Sequence, residues 1–142
     1  MKYFTLRELT RSDTAARKDI DNTPTPTAEQ HLRSLVEHVL DPLREAYGKP
    51  IYVNSGYRSP ALNSAVGGAR NSQHMKGQAA DIRGEPHSRL PKGEKPQTAE
   101  EATAELGRLI IDLDLPFDQL IFYPTFLHVS WSPTPRRQTL RK

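Results

Sequence analysis

The segment NSQHMKGQAADI, Asn71 to Ile82, sets His74 and Asp81 seven positions apart around a glycine, in a chain with five histidines in all. Its second half, with Arg83, reads as a short buried strand. A carboxylate flanked by Ala80 and Ile82 in such a strand is costly to bury unless it is paired or bound to a metal. Gly77, Ala79 and Ala80 remove bulk and let neighbouring backbone come close. The segment is therefore read as a turn feeding a strand, with a possible ligand at each end.

Working outward from it, the chain alternates short helical and strand-like runs. Upstream, a short helix is expected around Leu6 to Thr10, then a Pro/Thr-rich connector ending at Pro26. Thr27 with Gln30 reads as a capping box, and Leu32, Leu35, Val36, Val39, Leu40 and Leu43 recur at helical spacing until Gly48. Pro42 falls inside that pattern and should kink or interrupt it. IYVNS after Pro50 is β-like, Ser59-Pro60 opens another helix, and Gly67-Gly68 closes it.

Downstream, Gly84 to Gln97 forms a polar loop of the kind that hosts lids. Thr98 with Glu101 makes a second capping box, leading a helix whose apolar face is Ala102, Leu106, Leu109, Ile110 and Leu113. FDQLIFY and FLHVSW read as a hairpin around Pro124-Thr125. The expected architecture is α+β: one domain, 1–142, with helices packed on a small, mainly antiparallel sheet.

Composition narrows the function. At 142 residues and 35% apolar content, the chain suits one lean domain, and no run approaches the ~20 apolar residues of a bilayer span. The N-terminus meets charge too early for a secretory signal, so the protein is expected to be cytoplasmic as synthesised. With no cysteine, any metal must be held by histidine and carboxylate. Much of the formal charge of +3 gathers in the tail 133–142, at Arg136, Arg137, Arg141 and Lys142. This tail reads as a solvated end. No aromatic residues interleave with it, which argues against a single-strand nucleic-acid surface.

Among the histidines, His31 and His38 are expected on the surface of the first long helix, and His87 in the polar loop. His74 and His128 differ. The first stands in the glycine-bounded turn, and the second inside an apolar strand where an unpartnered imidazole is costly. Spacing alone does not bring the two together.

SQHMKGQAAD fills every fixed position of the S-x-H-x-x-G-x-A-x-D pattern of the M15 zinc peptidases, the group of D-Ala-D-Ala carboxypeptidases, dipeptidases and phage endolysins. HVSW resembles their second histidine segment. NSGYRSPALNSAVGG, the opening FTLRELTRSDTAARKDIDNTP and FDQLIF also resemble the M15A C-terminal-type subgroup, so that the likeness covers nearly the whole chain.

That resemblance implies one Zn²⁺ held by His74, Asp81 and His128. It implies that Arg58 stabilises the polarised carbonyl oxygen and that Ser72 stands near the polar end of the substrate. It implies hydrolysis of a peptidoglycan stem peptide by a zinc-activated water, by an exo-acting carboxypeptidase or an endo-acting endolysin released to the cell wall during lysis. The expected partner is that peptide, with no nucleic acid or membrane, and the chain is expected to be a monomer.

One position departs from the pattern. Many members carry an acid three residues before the last histidine, where this chain has Thr125, which cannot serve as a general base. Asp118 is the nearest upstream acid. A two-residue turn at Pro124-Thr125 would set Ile121 opposite His128 and turn Asp118 away; a three-residue loop would bring Asp118 to the metal side. Asp118 is taken as the expected base. The alternative is a non-catalytic zinc module, since the M15 fold is similar to that of the Hedgehog signalling domain.

Overall fold

The computed structural model describes residues 1–87 and 95–142. Among the described residues six α-helices and five strands follow in the order α1 (Leu6–Thr10), α2 (Asp13–Arg17), α3 (Pro26–Leu35), α4 (Asp41–Tyr47), β1 (Tyr52–Ser55), α5 (Pro60–Ala65), β2 (Ala79–Arg83), α6 (Ala99–Asp112), β3 (Gln119–Phe122), β4 (Leu127–Ser130) and β5 (Gln138–Arg141). The expected α+β class holds. The sheet runs β1-β2-β4-β3-β5 and is antiparallel except for the β3–β5 pair. No helix among the described residues is long and apolar enough to cross a membrane.

Local signals built most helices where they were read. Thr5 and Glu8 cap α1 reciprocally, as Thr98 and Glu101 cap α6, which satisfies N–H groups that the first turn leaves unpaired. The cap of α3 is corrected from Thr27 to Thr25, whose side chain accepts from the Ala28 N–H. Pro26 fills the first helical position, where its missing N–H costs nothing. Between α3 and α4 the chain widens into a π-turn, Val36–Leu40, just ahead of Pro42, the interruption expected where a proline removes an N–H from the ladder. Helix α2 forms between the expected first helix and the Pro/Thr-rich connector, where no element was expected.

The sheet has two faces with different tasks. Ile82, Leu127, Leu120 and Val129, all fully buried, face the helices. Leu32, Leu35, Val36, Val39, Leu40 and Leu43 meet them from α3, the π-turn and α4, in one continuous core. Leu113 is corrected from core to surface, because α6 ends at Asp112 and turns it outward. Gly107 on α6 lies against the Phe122 ring, where any side chain would collide.

The opposite face carries a single cross-strand row. Ser55 pairs with Asp81, Asp81 with His128, His128 with Ile121, and Ile121 with Leu140. Side chains directly opposite on neighbouring strands share a face, so this row runs across all five strands on the side away from the helices.

The tail is also corrected. Its residues are exposed as expected, apart from half-buried Leu140, but they are ordered: residues 138–141 form β5 beside β3. The Arg137 N–H donates to the Phe117 carbonyl, and the Lys142 N–H to that of Phe122. The loop expected as a lid, 84–97, falls in part outside the described residues.

Candidate metal centre and active site

His74 sits in a 3₁₀ turn, Gln73–Lys76, that ends on Gly77 in the left-handed conformation, φ 71°. A Cβ at Gly77 would run into the backbone of Ala28, so glycine is required twice over, by φ and by the close approach to α3. Ser72 caps this turn, its Oγ accepting from the His74 N–H at 3.2 Å. Asp81 and His128 come from the middles of β2 and β4, where strand register makes them direct partners.

The structure brings His74, Asp81 and His128 together: one ligand atom from each lies within 4.8 Å of the others, and they form the one such His/Cys/Asp/Glu group among the described residues. His74 Nε2 stands 3.3 Å and His128 Nδ1 3.1 Å from Asp81 Oδ1. Donors on a tetrahedral zinc, with bonds of about 2.0–2.1 Å, stand roughly 3.3 Å apart. The His74 Nδ1 lies 2.7 Å from the Gly56 carbonyl, which can only accept, so the proton is on Nδ1 and the Nε2 lone pair points to the other two donors. Two imidazoles and a carboxylate, oriented in advance, fit a divalent metal of the zinc type.

Burial by itself would raise the Asp81 carboxyl, but hydrogen bonds and charge from His128 and His74 outweigh it and hold the group well below the usual carboxylate range. Asp81 is thus an anion at any ordinary pH, the state a metal requires. Its second oxygen, Oδ2, lies 3.5 Å from the Arg58 guanidinium.

Arg58 lies beside the cluster, its side chain 17% exposed. Its Nε donates to Ser55 Oγ at 3.0 Å and its Nη1 to Asn63 Oδ1 at 3.3 Å. The Arg58 N–H donates to the His74 carbonyl, so guanidinium and imidazole are held by one local network. Ser55 and Asn63 escaped the sequence reading; the only available signal was their place in the NSGYRSPALN block.

Asp118 is corrected. Tyr123 N–H donates to the Phe126 carbonyl across Pro124-Thr125, and Ile121 pairs with His128. The loop therefore has two residues, the case that turns Asp118 off the metal face. Its Oδ1 accepts from the Arg136 N–H at 2.9 Å and from Arg136 Nε at 3.0 Å; its Oδ2 accepts from Arg136 Nη2 at 2.9 Å and from Gln73 Nε2 at 2.9 Å. Hydrogen bonding by Arg136, offset in part by burial, lowers its carboxyl to about 2. Such a group is a weak base and a firm anchor.

The remaining histidines stay outside the cluster. His31 contacts the Lys76 carbonyl, His38 stacks on Trp131 at 4.9 Å, and His87 lies beside Lys49 and Glu105. A cleft of about 620 Å³ opens over the three donors, walled on one side by Gly67, Gly68 and Ala69 and on the other by Tyr123, Phe126 and Leu140. Donors, a guanidinium and an open cleft make an arrangement able to bind a peptide carbonyl beside a metal.

The chain matches the family model described as Peptidase M15 over residues 2–107. A 44-residue segment is 59% identical to the zinc D-Ala-D-Ala carboxypeptidase of Streptomyces albus G, covering 30% of this chain and 17% of that protein. The match thus spans under a fifth of that relative's length.

Proposed function

Because the chain belongs to the peptidase M15 family, we propose that it is a zinc-dependent peptidase acting on peptidoglycan stem peptides, with His74, Asp81 and His128 as the metal ligands. The observation that supports this most directly is the donor set itself: two imidazole nitrogens about one tetrahedral edge from a buried carboxylate, with the His74 Nδ1–H donating to the Gly56 carbonyl. When bound, zinc supplies a Lewis acid that polarises a carbonyl and acidifies a coordinated water.

The chain's own residues do the rest. Arg58, fixed by Ser55, Asn63 and Asp81, points its guanidinium into the cleft where negative charge develops on the carbonyl oxygen. Because it is held before substrate arrives, little reorganisation accompanies the reaction. The hydroxyls of Ser72 and Tyr123 line the cleft, Tyr123 on the same sheet face as His128. Ser72 at the rim helps to seat the polar end of the peptide.

The shared family leaves both exo- and endo-cleavage open; the carboxypeptidase is the relative at hand, and D-Ala-D-Ala ends are the first substrate to try. A second reading, a zinc module that binds without cleaving, draws support from Asp118, the expected base, being committed to Arg136. One experiment separates them. Purified protein is dialysed against chelator, reloaded with zinc, and assayed for bound metal, melting temperature and D-Ala release from peptidoglycan. One equivalent of zinc, a melting point that climbs with free zinc in the wild type but not in His74→Ala, and D-Ala or stem-peptide release are expected; at a hundred times Kd the gain is about 2.7 kcal/mol. Zinc bound without any cleavage selects the module.

A further inference from the structure

The cross-strand row that holds Asp81 and His128 does not stop at the metal cluster. It continues over Ile121 to Leu140 on β5; Gln138 and Leu140 share that face, and Lys142 follows directly after the strand. Thr139 and Arg141 point the other way, the Arg141 guanidinium lying over the Phe122 ring at 4.5 Å. Leu140 and Lys142 line the same cleft as the three donors.

The cations of this cleft differ in what they have to do. Arg58 is committed to Asp81 and Arg136 to Asp118. Lys142 makes no ion pair among the described residues. An ammonium next to an apolar floor of Ile121 and Leu140 complements a peptide with an aliphatic body and a carboxylate.

Distance sets where that carboxylate belongs. Neighbouring strands lie ~4.8 Å apart, so Leu140, two strands from His128, stands roughly 10 Å along the face. An extended peptide advances ~3.4 Å per residue. The span is about three residues.

We propose that β5 forms a specificity subsite, in which Leu140 and Lys142 take a peptide carboxylate about three residues from the scissile carbonyl. This rests on the peptidase reading above and extends it: the preferred substrate crosses the strands of the sheet and is longer than a dipeptide. The carboxylate comes from an acidic side chain or from the C-terminus of the peptide.

Two peptide series distinguish these sources with the zinc-loaded protein. In the first, acetylated peptides ending in D-Ala-D-Ala carry Glu or Gln at the third residue before the scissile bond. In the second, peptides extend three residues beyond that bond and end in a free carboxylate or an amide. One series should show a roughly fivefold lower KM for the charged member, with kcat unchanged. Lys142→Ala should erase the difference, and Lys142→Glu should invert it toward Lys-bearing peptides. Leu140→Gln should weaken only peptides long enough to reach it. Equal KM within both pairs, or discrimination that survives Lys142→Ala, overturns the proposal.

The same pairs, made with a ketomethylene in place of the scissile amide, are titrated calorimetrically. If no peptide is cleaved, the hydrolase reading fails, while a charge preference in Kd that depends on Lys142 still upholds the subsite and its absence still rejects it.

Discussion

Single side chains decide whether this site works. Arg58 reaches Ser55, Asn63 and Asp81 at once because its planar guanidinium offers five donors in a fixed fork. Lysine has one point of charge and cannot hold the same three. Arg58→Lys should therefore lower kcat by about a hundredfold, the usual cost of an oxyanion donor, while zinc content measured by atomic absorption stays at wild type. Asp118 is the second decisive residue. Its pKa falls from 3.8 to about 2 in the folded chain, so its stabilising effect is complete above about pH 4 and is lost as pH drops toward 2. The amount is roughly 2 kcal/mol. Denaturant titrations from pH 6 down to pH 2 should show that acid loss in the wild type and a flatter profile in Asp118→Asn, at a lower plateau.

At the scale of elements, the 3₁₀ turn carrying His74 is held between α3 and the sheet. Its tightest point is Gly77, positive in φ and pressed on the Ala28 backbone. Gly77→Ala should cost the ~1–2 kcal/mol of a left-handed alanine and a further amount for the collision. Because the turn must lift off α3 to relieve it, zinc affinity should weaken along with melting temperature. A calorimetric titration showing wild-type zinc affinity would contradict this view of the turn. Elements were legible where their signals are local. Thr98 with Glu101, and Pro124-Thr125 between two β-rich runs, state a helix start and a hairpin in a few residues. The α3 cap lies two positions before the expected Thr27, because Thr25 and Thr27 are both able to cap and only the seating of Pro26 at the first helical position chooses between them.

For the molecule as a whole, the C-terminal tail changes most between reading and structure. Composition made it four cations with no apolar pattern; in the fold it becomes the edge of the sheet and one wall of the cleft. Arg136 is clasped by Asp118, and Arg137 donates to the Leu115 carbonyl and pairs with Asp114 at 2.7 Å. Deleting residues 136–142 should consequently strip the buried Asp118 of its partner and destabilise the chain by about 3 kcal/mol or more, read as a fall in the urea midpoint. An unchanged midpoint would mean that the tail adds nothing to stability. The family match ends at residue 107, and β5 enters the site on the strength of the fold alone.

What the sequence by itself determined was the chemistry on offer: helices and turns written in short-range capping and periodicity, and two histidines and an aspartate in settings where burial demanded a reason. Those follow from interactions within a few residues of each position. Convergence of the three donors, the face to which Asp118 turned and the docking of β5 came only with tertiary structure. Each depends on contacts between segments tens of residues apart, and on strand register, where one residue of loop length reverses every side chain.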